Sequence, residues 1–366
     1  MKRYIFFIAA ALLAAVSCSK IYDATPVTQE QTPIGFSTWN ETLTKARTIT
    51  DTDFKNGDKF NVFGSKTLES VPSVVFNGDE VSYDGTNWNY TPPRYWDPLA
   101  TQYLFYAISP SALLPAGMTD AQKETAATTG AFSTAELTFD GTVAYDVLIA
   151  DKTPITTFNA PVHLVFNHVA SLLDLKVKKS YALKDATVAV TAISIENIIN
   201  KGTYSVSTYD GSSNKPTVSI ANWTPAASSN TNSFDGATGT VSQYGYASTT
   251  AEEAVNGSDL FAFQNFVVMP QTLVAAAGTN PQQIKISYTI TTTVGEVITH
   301  TDKTVAFIAF DNTDNKVNTD PAAAAGWNPN THYTYTLTLD ANKIEFTAEI
   351  AEWSSTVVNG YYNFLI

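Results

Sequence analysis

The chain has 366 residues with 21 basic and 34 acidic side chains, a formal balance of −13. That excess of negative charge excludes a general nucleic-acid binder, which needs a basic footprint to neutralise phosphate. The single cysteine excludes an intrachain disulfide framework and any cysteine-based zinc site.

The chain opens with Lys2 and Arg3, an apolar stretch from Tyr4 to Val16, and then Ala15-Val16-Ser17-Cys18. A basic start, a short apolar run and small residues before a cut form a secretory signal. The run is too short to span a hydrocarbon core, which takes roughly 20 residues. Residues 1–17 are expected to be removed, with Cys18 as the lipidated first residue of the mature chain. The small-small-Cys ending resembles the lipobox of bacterial lipoproteins. Losing Lys2 and Arg3, with no acid beside them, would move the balance from −13 to −15. Residues 18–33 lack periodicity and read as a tether between lipid and fold.

From Ile34 the chain consists of short apolar or alternating runs separated by turn chemistry. Phe60-Asn61-Val62-Phe63 and Val74-Val75-Phe76 are two such runs, the second ending in Asn77-Gly78. Val81-Ser82-Tyr83 ends in Asp84-Gly85, and Tyr103 to Ile108 is continuously apolar. Asn-Gly and Asp-Gly between apolar runs predict hairpins, because both residues tolerate positive φ. Residues 111–135 predict a long surface loop with at most one helical turn. The Pro-punctuated stretch from Lys152 to Pro161 predicts the boundary between an N-terminal domain, 34–157, and a C-terminal domain, 158–366.

Beyond that stretch the alternation strengthens. It runs through Leu173, Leu175 and Val177, then Ile284 to Ile290, Tyr333 to Leu339 and Ile344 to Ile350. Such alternation sets one face into a core and the other into water, as in antiparallel sandwiches. The fold class is therefore all-β, two antiparallel sandwich domains in tandem. Residues 208–258 predict long loops with short strands.

Motifs for chemistry are sparse. The sequence contains no nucleophile elbow, P-loop, zincin helix or dinucleotide-binding glycine pattern. His163 and His168, five apart on one strand, predict opposite faces and no shared metal. Asp311 to Asp320 lacks the glycine and the glutamate of a calcium loop, since Lys316 and Ala322 stand there. The tryptophans have apolar neighbours and read as core. No residue is expected to be catalytic, cofactor-binding or metal-ligating. Two features remain. Lys45-Ala46-Arg47 offers a trypsin-like cleavage site, and the chain runs apolar through Tyr361-Tyr362-Asn363-Phe364-Leu365-Ile366.

The ordered pieces resemble a Bacteroidales fimbrillin, of the major and minor fimbrial subunit group that builds type V pili. They are Cys18, then Lys45-Ala46-Arg47 ahead of Phe54, Asn56-Gly57-Asp58 and Val62-Phe63. Arg94-Tyr95-Trp96, Tyr103, Phe105-Tyr106-Ala107 and Asp146 to Ala150 follow. Val162, Leu164, Phe166, His168 and Leu172, then Trp327-Asn328-Pro329, His332 to Tyr335 and Trp353, complete the series.

The resemblance implies two transthyretin-like β-sandwiches, delivered to the outer membrane as a lipoprotein precursor. It implies cleavage at Arg47 by an Arg-specific protease, which removes the lipidated segment and the first strand. The vacated groove would accept a C-terminal donor strand, about 357–366, from another subunit, with Tyr362, Phe364 and Ile366 filling its pockets. The implied partners are other pilus subunits, the processing protease, the outer membrane through the lipid, and a surface ligand in adhesion. The mature subunit would lie in a fimbrium at the cell surface. Only Asp23 supplies an acid soon after Cys18, so surface export before assembly does not follow. The rival reading is a monomeric outer-membrane glycan-binding lipoprotein that keeps its lipid.

Overall fold

The computed structural model describes residues 32–38, 54–140, 147–206, 218–226, 232–245, 258, 260–274, 280–307, 326–352 and 357–365. In chain order the first elements are β1 (Phe36–Thr38), β2 (Lys59–Leu68), β3 (Val71–Tyr83), β4 (Trp88–Asn89) and β5 (Gln102–Ser109). Helix α1 (Asp120–Thr129) follows, then β6 (Phe132–Ser133), β7 (Leu137–Thr138), β8 (Leu148–Ile155) and β9 (Val162–His168). The later strands open with β10 (Ser171–Ser180), β11 (Thr187–Ile198), β12 (Lys201–Val206), β13 (Trp223–Pro225), β14 (Asn232–Asp235), β15 (Gly239–Val241) and β16 (Tyr244–Gly245). They close with β17 (Leu260–Val268), β18 (Gln271–Thr272), β19 (Gln283–Thr291), β20 (Val297–Ala306), β21 (Gly326–Trp327), β22 (Thr331–Leu339), β23 (Lys343–Glu352) and β24 (Val357–Leu365). Among the described residues the fold is all-β apart from α1 and short 3-10 turns.

A seven-stranded sheet in the order β1-β9-β8-β5-β2-β3-β4 organises the N-terminal half. Both of its faces are covered, which explains why β5 is apolar throughout rather than alternating. One face carries Phe60, Val62, Phe105, Ala107 and Leu148 into a core that also holds Ile34 and Phe36. The other carries Phe63, Tyr106, Ile108 and Ile149 against α1, β12 and Trp223. That second core continues through Val169, Ala170 and Leu172 to Met269, so it joins the two halves of the chain.

In the C-terminal half, β10 pairs with β17 and, in parallel, with β22, and the sheet continues to β23 and β24. A second sheet, β14-β11-β19-β20, faces it across a core of aliphatic side chains and Tyr288, Tyr333, Tyr335 and Trp327. The strands predicted by alternation supply this core. Leu173, Leu175, Val177, Ile284, Ile286, Leu337 and Ile344 are fully buried, while Lys176, Lys178, Lys285, Ser287 and Thr336 on the opposite faces are only partly buried.

Two local expectations change. Asn77-Gly78 is not a hairpin turn but lies inside β3, where Gly78 (φ 82) sits at a break in register against Val62 and Phe63. The Phe63 ring stands 3.1 Å from where a Cβ would be, so a side chain there would be crowded as well as strained by φ. The actual β2–β3 hairpin turns at Glu69-Ser70, both at positive φ. Residues 111–135 hold a ten-residue helix, α1, in place of a loop. Thr119 and Gln122 form a capping box, and Gly130 ends the helix in the left-handed region. The Pro-rich stretch 152–161 joins two strands of one sheet, and the chain crosses to the next sheet further on. β9 lies beyond it yet pairs with β8 and β1, so the crossing falls at Val169–Ala170.

Candidate functional site: the first-strand slot and the final strand

The segment Thr32–Thr38 is held on two sides. Downstream, β1 pairs in parallel with β9, setting Phe36, Ser37 and Thr38 beside Val162, His163 and Leu164. The Val162 amide donates to the Gly35 carbonyl at 2.7 Å. Upstream, the Ile34 amide donates to the Arg94 carbonyl at 2.8 Å, and the Trp96 amide donates to the Thr32 carbonyl at 3.1 Å. Pro33 bridges Tyr95 in the antiparallel sense. The segment therefore spans the gap between β9 at one end of the sheet and the strand-like Arg94–Trp96 that follows β4 at the other.

Side chains fix it as firmly. Ile34 is 1% exposed and Phe36 7%. The Phe36 ring meets Phe76 at 5.4 Å, Phe60 and Tyr90 at 5.8 Å and Phe105 at 5.9 Å, each in an edge-on arrangement. Tyr90 donates its hydroxyl to the Ile34 carbonyl at 2.6 Å, and burial raises the pKa of that phenol. On the outward face Ser37 Oγ lies 3.3 Å from His163 Nδ1. Fully burying an aliphatic or aromatic side chain contributes about 1.5–3 kcal/mol, so Ile34 and Phe36 each add an amount that matters to a marginally stable domain. Taking the segment away would leave an apolar slot and remove the partners of the Val162 and Trp96 amides. Unpaired groups of that kind favour another strand in the same place.

At the other end of the sequence β24 pairs antiparallel with β23, with Phe364 opposite Ile344 and Tyr362 opposite Phe346. It is the terminal strand of its sheet, with one hydrogen-bonded neighbour among the described residues.

Cys18, Arg47 and Ile366 lie outside the described residues, as does the acidic stretch 311–320. Tyr362 and Phe364 are described as positions on β24. Among the described residues no three metal-ligating side chains come together. His163 and His168 fall on opposite faces of β9, one half-buried and one buried, as their spacing predicts. What the sequence did not disclose is the second attachment of residues 32–34 to Arg94–Trp96. The two segments are about 60 residues apart, and no periodicity reports the contact.

No curated protein matches the chain. A family model described as fimbrillin-like matches residues 44–353. The chain belongs to the fimbrillin-like family. Solved structures similar to this fimbrillin-like chain include a candidate cell adhesion protein from Bacteroides uniformis, 12% identical, with a TM-score of 0.45. That match covers 89% of this chain and 99% of the other. A second, from Bacteroides ovatus, is 14% identical with a TM-score of 0.41, covering 89% and 99%. The tip fimbrial protein Mfa3 from Porphyromonas gingivalis, with a C-terminal truncation, is 12% identical with a TM-score of 0.35, covering 84% and 97%. Likeness this loose carries no weight for function. Family membership does, and it supports a structural and adhesive role in a fimbrium at the cell surface, among other subunits.

Proposed function

We propose that this fimbrillin-like chain is a non-enzymatic pilus subunit, exported as a lipoprotein precursor on Cys18 and polymerised by strand replacement. Its two halves are read as transthyretin-like sandwiches in tandem. Cleavage after Arg47 by an Arg-specific protease would take the lipid, the tether and β1 away together. The C-terminal segment 357–366 of another subunit would then enter the slot.

The observation that carries this reading is the position of β1. A segment upstream of Arg47 supplies two buried side chains and strand hydrogen bonds to the N-terminal core. Processing there would create a vacancy of defined shape rather than trim a loose end. Strand addition is a general way to fill one, with backbone bonds giving affinity and alternate pockets giving specificity. The terminal placement of β24, with one partnered edge, suits a strand that must leave its own sheet.

The monomeric glycan-binder reading is less well supported. Its stacking platforms would be exposed tryptophans and tyrosines; Trp88, Trp96, Trp223 and Trp327 are all buried, and Tyr95 is exposed. Deleting residues 357–366 tests the proposal. The processed deletion variant is expected to remain monomeric by light scattering, and polymers formed as readily as by the full chain would reject strand donation.

A further inference from the structure

We infer that the donor segment enters the slot antiparallel to β9, the reverse of the strand it replaces, with Phe364 in the Phe36 pocket and Ile366 in the Ile34 position. The inference deepens the strand-replacement reading above and rests on it. Three observations carry it.

The two ends of the slot differ. The downstream position, filled by Phe36, is lined by the rings of Phe60, Phe76, Tyr90 and Phe105. The upstream position, filled by Ile34, is closed to 1% exposure around an aliphatic side chain. Read along β1, the slot asks for aliphatic, then one residue, then aromatic.

The donor segment carries the opposite order. Phe364, Leu365 and Ile366 read aromatic, one residue, aliphatic. Turned end for end, the pattern fits both positions at once. Tyr362 then comes to the Thr38 position beside Leu164, at the end of the slot. Kept in the direction of β1 with Phe364 in the aromatic pocket, the segment would put Tyr362 where Ile34 sits. A tyrosine there is larger than the side chain the site encloses, and its hydroxyl would enter an apolar core.

The hydrogen bonding permits the reversal. β9 offers the edge now used by β1, where antiparallel pairing is somewhat more stable per residue than parallel, while the short contact with Arg94–Trp96, antiparallel at Pro33 and Tyr95, would become parallel in exchange. The parallel β1 would thus give way to an antiparallel successor of matching side-chain order.

Direction sets which outward residue of the donor lies beside His163. In the antiparallel register Asn363 takes the place of Ser37, whose hydroxyl is 3.3 Å from the His163 ring. In the parallel register Leu365 takes it. The test uses full-length chains carrying His163→Cys with either Asn363→Cys or Leu365→Cys, processed after Arg47 and oxidised mildly. On the reading above, Cys18 leaves with the processed segment and does not interfere. An unprocessed Ser37→Cys/His163→Cys chain, expected to form an internal bridge, shows that the reporter position folds and oxidises.

A non-reducing ladder of multimers from the Asn363 pair, at least tenfold stronger than from the Leu365 pair, is the expected result. A ladder from the Leu365 pair, equal ladders, or filaments with neither ladder would overturn the register while leaving strand replacement standing. Failure of the processed parent chain to form filaments would overturn strand replacement itself, and the register with it.

Discussion

The Phe36 ring meets four other aromatic rings edge-on, and its strand is the one the proposed processing removes. Truncating a phenylalanine in such a core costs the transfer free energy plus a cavity. Phe36→Ala in the unprocessed chain is expected to lose ~3–5 kcal/mol, read as a lower urea midpoint for the N-terminal transition. An unchanged midpoint would mean that β1 is peripheral to that core. His300 offers a second test in the C-terminal half. Its ring stacks on Tyr288 at 4.6 Å, and burial, then the nearby Lys303 charge, lowers its pKa below the ordinary 6.5. Between the lowered value and 6.5 the unfolded chain binds the extra proton and the folded chain does not. Stability therefore falls as pH drops through that window. His300→Gln should flatten the pH dependence of the melting temperature below pH 6.5. A profile unchanged by the substitution would contradict that sign. Residue identity was partly legible. The tryptophans read as core because their neighbours are apolar, and four of them are buried. The positive φ at Glu69 and Ser70 was not legible, since neither residue favours it and the hairpin imposes it.

Among the elements, the strands of the C-terminal half were the most legible. In most of them one face meets the core and the other is only partly buried, so the period of two is written in the residues. β5 was readable as a strand but not as doubly covered, because α1 carries little apolar bias and the small sheet around β12, also over its second face, lies far along the chain. Helix α1 escaped detection because its body is Ala and Thr with little apolar bias. Its signal lay in its ends, Thr119 with Gln122 and then Gly130. The 3.6-residue pattern cannot report such a helix, whereas the caps can. The final strand carries an expectation of its own. As a terminal strand bonded to β23 alone among the described residues, it should be separable from the rest of the sheet. The variant lacking residues 357–366 is thus expected to unfold cooperatively, with a lower midpoint than the full chain. Collapse of the variant into an unfolded state would show β24 to be integral to the fold.

At the scale of the whole molecule the expected tandem of two halves is joined more closely than the sequence suggests. The Pro-rich stretch ends a strand and starts its neighbour in one sheet, and a core shared by both halves spans Val169, Ala170 and Met269. A force on one half would therefore reach the other through packed side chains. The lipid takes on a particular meaning in this setting. On the proposed pathway Cys18 holds only the precursor, and β1 occupies the slot until a neighbour is ready. Negative-stain imaging of the purified chain treated with an Arg-specific protease tests that pathway most directly, with Arg47→Ala treated in parallel. Filaments from the wild type and monomers from Arg47→Ala are the expected pair of images. Persistent monomers from a wild-type chain cleaved after Arg47, or filaments from the uncleaved variant, would contradict it.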